Sequence, residues 1–232
     1  MSASVPTRDS ELLEALPRGR HGLPRETVRE SQRRRILQGM VQVVAEKGYG
    51  DARIADAVEV AGVSRKTFYE IFEDKEDCFL AAYDEWTERF TQAAMAAFER
   101  EDGAPWAERI TAALAAFLGE LAEHPAAARV CIVEVLAAGP KALARRDAAL
   151  RRFAELIDQG RADSGLALPG LTGRALAGGI HELLHSELLH GAARGVPARL
   201  PDLVYWVVHP YLGEEEAAKA RDRARELVRP SA

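Results

Sequence analysis

The four residues Ala61-Gly62-Val63-Ser64 constrain this chain more than any other short stretch. They separate two segments, each too short to be stable as an isolated helix in water. Upstream, Ile54, Val58 and Ala61 share one helical face, with Asp51 as the expected N-cap. Downstream, Phe68 and Ile71 face inward from a helix of about one and a half turns. Gly62 can take the left-handed conformation of a tight turn. Val63 can plug the angle between the two helices, and Ser64 can cap the second through the Thr67 N–H. Helices this short must lean on a neighbour. The segment from Pro24 to Gly48 supplies one, with Ile36, Leu37, Met40, Val41 and Val44 on a single stripe.

Short helix, glycine-containing turn, short helix is the layout of a helix-turn-helix. Its second helix leaves Arg65, Lys66, Thr67 and Tyr69 off the inward face. Arg and Lys can reach guanine edges or phosphates, Thr a thymine methyl or a phosphate, and the Tyr hydroxyl a phosphate. Lys75 opens the next helix, where the helix N-terminus also favours an anion. The formal charge of −5 speaks against a nucleic-acid partner at first sight. Its distribution speaks otherwise. Between Pro17 and Lys47 stand eight Lys and Arg residues against three Glu, a local charge of +5. A basic end on an acidic protein is a plausible nucleic-acid footprint.

The segment 48–84, and above all AGVSRKTFYEIFEDKEDCFL, resembles the DNA-binding domain of the tetracycline-repressor (TetR) family of transcriptional regulators. The residues that carry the likeness are Gly62-Val63-Ser64, Phe68-Tyr69, Phe72 and Lys75. The resemblance implies DNA contacts by Ser64, Arg65, Lys66, Thr67, Tyr69 and Lys75. One departure stands out: Ala52-Arg53 occupies the place where such proteins usually have Thr. Arg53 is therefore expected to take over a phosphate contact and Asp51 the cap. The arm 16–28, LPRGRHGLPRETV, is similar to one found ahead of this domain in some members, and can add minor-groove or phosphate contacts.

The rest of the chain reads as helices. Ala is abundant and alternating β-branched runs are rare, which favours an all-α fold. A helix over 75–100 spans about 40 Å. Further helices are expected near 105–123, 125–138, 140–161, 172–194, 200–212 and 214–228, with breaks at Pro125, Gly139-Pro140, Gly165 to Gly170 and Gly195 to Pro197. The expected organisation is a flexible basic arm (1–23), a helix-turn-helix domain (24–74), and a helical effector-binding and dimerisation domain (75–232). No run of 18 apolar residues is present, so no membrane partner is expected. The first twenty residues lack the apolar centre of a signal peptide. The two cysteines, Cys78 and Cys131, suit small buried positions in a cytoplasmic protein.

Candidate cavity residues for a small, largely apolar effector are Trp86, Phe90, Trp106, Phe117, Cys131, Phe153, His181 and His185. In TetR-like proteins the last two major helices pair with those of a second subunit. By resemblance, Leu183, Leu184, Leu188, Leu203, Val204, Trp206, Val207 and Tyr211 would form a homodimer interface here. No cofactor or metal is expected. One motif points elsewhere: His181-Glu182-Leu183-Leu184-His185 matches the H-E-x-x-H of zinc peptidases, so a zinc-dependent hydrolase is the alternative. Such sites need a third protein ligand. Gly191 and Tyr205 occupy the places where one is usually found, and His190 falls on the opposite face of a straight helix. A ligand-responsive regulator, acting as a repressor that a small molecule releases from a palindromic operator, is favoured. A non-specific architectural DNA-binding protein is the other alternative.

Overall fold

The computed structural model describes residues 24–229, and every regular element among them is helical. The expected basic arm, 1–23, lies outside the described residues. The chain divides into two compact units at Ala82/Tyr83.

The first unit is built on α1 (Arg25–Lys47), α2 (Ile54–Ala61), α3 (Arg65–Tyr69) and the start of α4 (Lys75–Arg100). α1 buries Ile36, Leu37, Met40, Val41 and Val44, the stripe set by their spacing. Gly39 lies on the same face. A Cβ there would stand 2.5 Å from the Ala57 carbonyl oxygen, so the missing side chain is what lets the α2 backbone approach. An ion pair of 2.9 Å between Lys47 and Asp56 closes the far end of this contact. α2 ends as expected: Gly62 is left-handed (φ 62, ψ 37), and its N–H donates to the Glu59 carbonyl.

The start of α2 differs. Arg53, not Asp51, holds the N-cap position, and no side chain caps the helix. Residues 48–51 make a turn in which the Ala52 N–H donates to the Gly48 carbonyl. That turn leaves Asp51 two positions short of the helix end. α4 starts in a box-like cap. Asp74 Oδ1 accepts from the Asp77 N–H at 2.8 Å, and Asp77 Oδ2 accepts from the Glu73 N–H at 3.1 Å. The division between units falls inside α4, eight residues beyond the expected boundary at 74/75. The reason is packing: Cys78 and Phe79 are fully buried, and the Phe79 ring meets Tyr49 edge-on at 4.8 Å.

The second unit continues through α5 (Trp106–Glu123), α6 (Pro125–Ile132), α7 (Pro140–Asp158), α8 (Arg161–Ser164), α9 (Thr172–Leu189) and α10 (Leu200–Leu227). α7 lies along α9, and α5 along α10. Leu114, Leu118, Leu121, Ile157, Ile180, Val204 and Tyr211 are fully buried in its core. Two expected helices are shorter than their spacing suggested. Residues 125–138 break after Ile132 into a 3-10 turn, and 172–194 stops at Leu189 ahead of left-handed Gly191. α10 runs through Pro210 but breaks at Gly213 (φ 80), where a boundary was expected. No helix among the described residues is long and apolar enough to cross a membrane. Both cysteines are buried.

Most of the expected dimer interface is used differently. Leu184, Leu188, Leu203, Val204, Val207 and Tyr211 are at most 2% exposed within the single chain. They form this unit's own core and are out of reach of a partner. Leu183 and Trp206 do reach the surface, at 36% and 42% exposed. The helical spacing was right, but a period does not say which of two apolar faces is covered by the same chain.

Candidate nucleic-acid interface and effector cavity

The interface is assembled from α3 outward. Ser64 Oγ accepts from the Thr67 N–H at 3.0 Å and lies 2.9 Å from Thr67 Oγ1, so both hydroxyls take part in starting the helix. Phe68 is 0% exposed and Phe72 is buried beside it, their centroids 5.7 Å apart. Anchored this way, a helix of five residues presents Arg65, Lys66 and Tyr69 on its exposed side. Tyr69 is 59% exposed. The Lys66 ammonium is 3.8 Å from the Glu70 carboxylate, a solvent-screened pair that gives way easily to a phosphate. Arg53 is exposed at the head of α2.

Lys75 is placed differently. Its ammonium donates to the carbonyls of Tyr49 (2.8 Å) and Ala52 (3.2 Å) and sits 4.3 Å from the centre of the Tyr49 ring. Two of its three donors are thus used to clamp the turn before α2 to the start of α4. In this geometry the side chain holds that turn in place.

The second unit holds a partly open cavity of about 340 Å³, inside the roughly 300–1,000 Å³ range of small-molecule sites. α4 contributes Tyr83, Thr87, Phe90, Thr91 and Ala94, α7 contributes Arg146, Leu150 and Phe153, and α9 contributes Ala177, Ile180, His181 and Leu184. Phe117 meets Phe90 edge-on at 6.4 Å and lies tilted against Phe153 at 5.6 Å. Cys131 closes the wall, its thiol 3.7 Å from the Thr87 hydroxyl. Of the expected cavity residues, Phe90, Phe117, Cys131, Phe153 and His181 line it. Trp86, Trp106 and His185 do not. Trp86 turns aside to stack on His124 at 4.8 Å, and Trp106 packs on Tyr211 at 4.9 Å under Gly160.

Arg146, Tyr83 and Thr87 are absent from the expected set, although the spacing carried them. Positions 83, 87, 90 and 94 form one α4 stripe, and 146, 149, 150 and 153 form one α7 stripe. Arg146 lies on the stripe that ends at Phe153. A charge on an apolar stripe reads as an interruption until its partner is known. Here that partner is His181: Arg146 Nε is 3.3 Å from His181 Nε2, and Nη2 is 3.3 Å from Nδ1.

This geometry also decides the H-E-x-x-H question. Glu182 is exposed on the other side of α9, and His185 is outside the cavity wall. A metal ion on His181 would stand against a guanidinium. Among the described residues, a different cluster, Glu120, Glu123 and His124, brings three ligand atoms within 4.8 Å of one another. Of the two HELLH histidines, His181 lines the cavity and His185 does not.

Burial, then the charge of Arg146 and the nearby His185, pushes the His181 imidazole down to about 4 from its ordinary 6.5. In the unfolded chain it titrates near 6.5, so between these values the unfolded state holds the extra proton. Its contribution to stability is therefore complete above pH 6.5 and is lost as pH falls toward 4. The expected result is a lower urea midpoint at about pH 5 than at about pH 7, with a smaller drop in His181→Gln. Equal drops in the two proteins would assign the effect to other groups.

A helical unit that presents a cationic, aromatic-bearing α3 from a glycine turn, followed by a cavity-bearing helical unit, defines a helix-turn-helix transcriptional regulator. Residues 36–82 match the profile of the family described as "Bacterial regulatory proteins, tetR family". Over these residues the chain carries the N-terminal segment of the TetR family. Solved structures agree in fold. The fatty acid degradation regulator FadR from Bacillus halodurans is 20% identical with a TM-score of 0.68, over 76% of this chain and 94% of that one. FadR from Bacillus subtilis, in complex with stearoyl-CoA, is 19% identical with a TM-score of 0.64, over 75% and 97%. A putative TetR-family transcriptional regulator from Rhodococcus sp. is 25% identical with a TM-score of 0.59, over 78% and 99%. No curated protein matches the chain.

Proposed function

We propose that the protein is a repressor that binds a palindromic operator as a homodimer and leaves it when a small molecule fills the cavity of the second unit. The observation that carries this reading is the surface of α3. Arg65, Lys66 and Tyr69 stand exposed on a helix held from behind by Phe68 and started by Ser64. Arg65 and Lys66 address bases or phosphates, Tyr69 and Arg53 phosphates, and Thr67 a phosphate or a thymine methyl. Two copies of α3 would enter successive major grooves about 34–36 Å apart.

The homodimer surface in this reading is the face of α9 and α10 that the chain leaves exposed. Leu183, Leu189 and Trp206 stand there, with Trp206 lying over Gly179. Effector binding would act along α4, which supplies residues to both units. An effector favouring a spacing of the two α3 helices that misfits DNA lowers operator affinity by linkage. The Bacillus subtilis relative solved with stearoyl-CoA supports an effector with a long apolar part.

Selection of random-sequence duplexes against the protein tests this, followed by the salt dependence of the winner. An enriched palindrome whose affinity falls steeply with salt is the expected outcome. No enrichment at low salt would overturn it. On that duplex, Lys66→Ala should cost about 1–3 kcal/mol and Tyr69→Phe about 1 kcal/mol, with the sedimentation coefficient of the free protein unchanged. Unaltered affinity in both would remove α3 as the reader.

A further inference from the structure

We propose that the effector is an amphipathic anion, a carboxylate or similar two-oxygen acid on an apolar body, whose head is held by Arg146 and His181. The proposal deepens the effector reading above and rests on it.

The starting point is a mismatch at the cavity wall. Arg146 turns one edge of its fork, Nε and Nη2, toward the two ring nitrogens of His181, each at 3.3 Å. Two parallel N–H donors need two acceptors. A neutral imidazole offers one lone pair and one N–H. Whichever tautomer forms, one guanidinium N–H therefore faces another N–H. The spacing of the fork is that of the two oxygens of a carboxylate. An acid that displaces the imidazole from this edge would satisfy both Arg146 donors and could accept the freed imidazole N–H as well.

The surrounding charges favour the same ligand. The remaining Arg146 nitrogen, Nη1, is tied to Asp147 Oδ1 at 3.1 Å, but that carboxylate is half exposed and outside the cavity wall. It fixes the guanidinium while solvent screens its charge. Glu88 and Arg152 also border the cavity, and they pair with each other at 3.1 Å on exposed side chains. Glu155, the other charged residue of the wall, is exposed. Burial lowers the His181 pKa, which keeps its ring neutral and a donor near neutral pH. Opposite this polar end stand Phe90, Phe117 and Phe153, which suit an alkyl or aryl body. An amine head would be repelled by Arg146, and an alcohol would offer one acceptor where two are wanted.

The test uses the full-length protein near neutral pH and four probes with the same tail: decanoate, decyl phosphate, decanol and decylamine. Calorimetric titration should give decanoate a dissociation constant at least about tenfold below that of decanol, with decylamine weakest. Decyl phosphate tighter than decanoate would assign the head to a phosphate, and the reverse order to a carboxylate. Arg146→Met should bring decanoate to the level of decanol and leave decanol binding in place. Arg146→Lys keeps the charge without the fork. It should lose most of the preference, and it covers the case in which Met disturbs packing. Equal binding of decanoate and decanol by the unaltered protein overturns the proposal and leaves the cavity reading standing. A preference that survives in both variants also overturns it. Failure of all four probes to bind overturns the cavity reading and the proposal together.

Discussion

Changing Phe68→Ala is expected to abolish sequence-specific DNA binding, although this side chain is 0% exposed and can touch no DNA. α3 has five residues, and a helix of that length has no stability of its own. Phe68 fixes it, with Tyr69 edge-on at 5.4 Å and Phe72 at 5.7 Å. Removing a buried Phe costs about 3–5 kcal/mol, a sum comparable with the whole stability of a unit this small. The helix carrying Arg65, Lys66 and Tyr69 would then lose its orientation. Two measurements separate this from loss of a contact. Operator binding by fluorescence anisotropy should disappear, and amide exchange should rise across residues 24–82 while 83–229 keep their protection. Lys66→Ala, by contrast, should lower affinity with exchange unchanged. Near-normal operator affinity in Phe68→Ala would mean that α3 is not the element that reads DNA.

The first unit was legible in the sequence because its signals are local. Gly62 ends α2 in the left-handed conformation, and Ser64 starts α3 through the Thr67 N–H. Asp74 and Asp77 cap α4, and all these groups lie within four residues of what they bond. The same unit hid whatever depended on distance along the chain. The resemblance and the helix N-terminus suggest a DNA contact for Lys75. Its ammonium instead reaches back to the carbonyls of Tyr49 and Ala52, 26 and 23 residues away. Asp51 was a reasonable cap until the turn at 48–51 placed Arg53 at the helix start.

In the second unit, periodicity located the helices but not their facing. The apolar residues 203, 204, 207 and 211 of α10 were correctly seen as one stripe, yet they cover α5 and its neighbours rather than a partner. The side chains left exposed, Leu183, Leu189 and Trp206, fall between the core positions. The cavity shows a related limit. Its aromatic wall could be found by residue type, whereas Arg146 gains meaning from His181, 35 residues on and one helix away. Charge on an apolar stripe is ambiguous in one dimension and specific in three. The H-E-x-x-H match fails for the same reason: the spacing put two imidazoles on adjacent turns, and the fold gave them different surroundings.

Asp158 is the residue that sequence spacing concealed most completely, and its replacement by Ala should be the most disruptive single change in the second unit. Its Oδ1 accepts from the Tyr211 hydroxyl at 2.6 Å, from Arg161 Nε at 3.0 Å and from the Gly173 N–H at 3.2 Å. One atom thus joins the end of α7 to α8, α9 and α10. Gly173 is there because a Cβ would stand 2.6 Å from Asp158 Cγ. Tyr211 is fully buried, and burial together with the nearby carboxylate holds its phenol well above the usual range. The hydroxyl is therefore a permanent donor, and without Asp158 its buried O–H is left with no acceptor. The expected cost of Asp158→Ala is about 2–4 kcal/mol, since a charged acceptor is lost and a buried donor is stranded. Tyr211→Phe removes the donor too and should cost about 1 kcal/mol. The double variant should be less unstable than the sum of the two, because the stranded hydroxyl is then gone. Leu156 and Gln159, on either side of Asp158, line the cavity. Decanoate binding should accordingly weaken in Asp158→Ala, while amide protection in residues 24–82 stays as it was. Urea unfolding of the second unit decides the matter: a midpoint unchanged from the parent, or strict additivity with Tyr211→Phe, would show that the three bonds to Asp158 contribute nothing the solvent does not supply equally well.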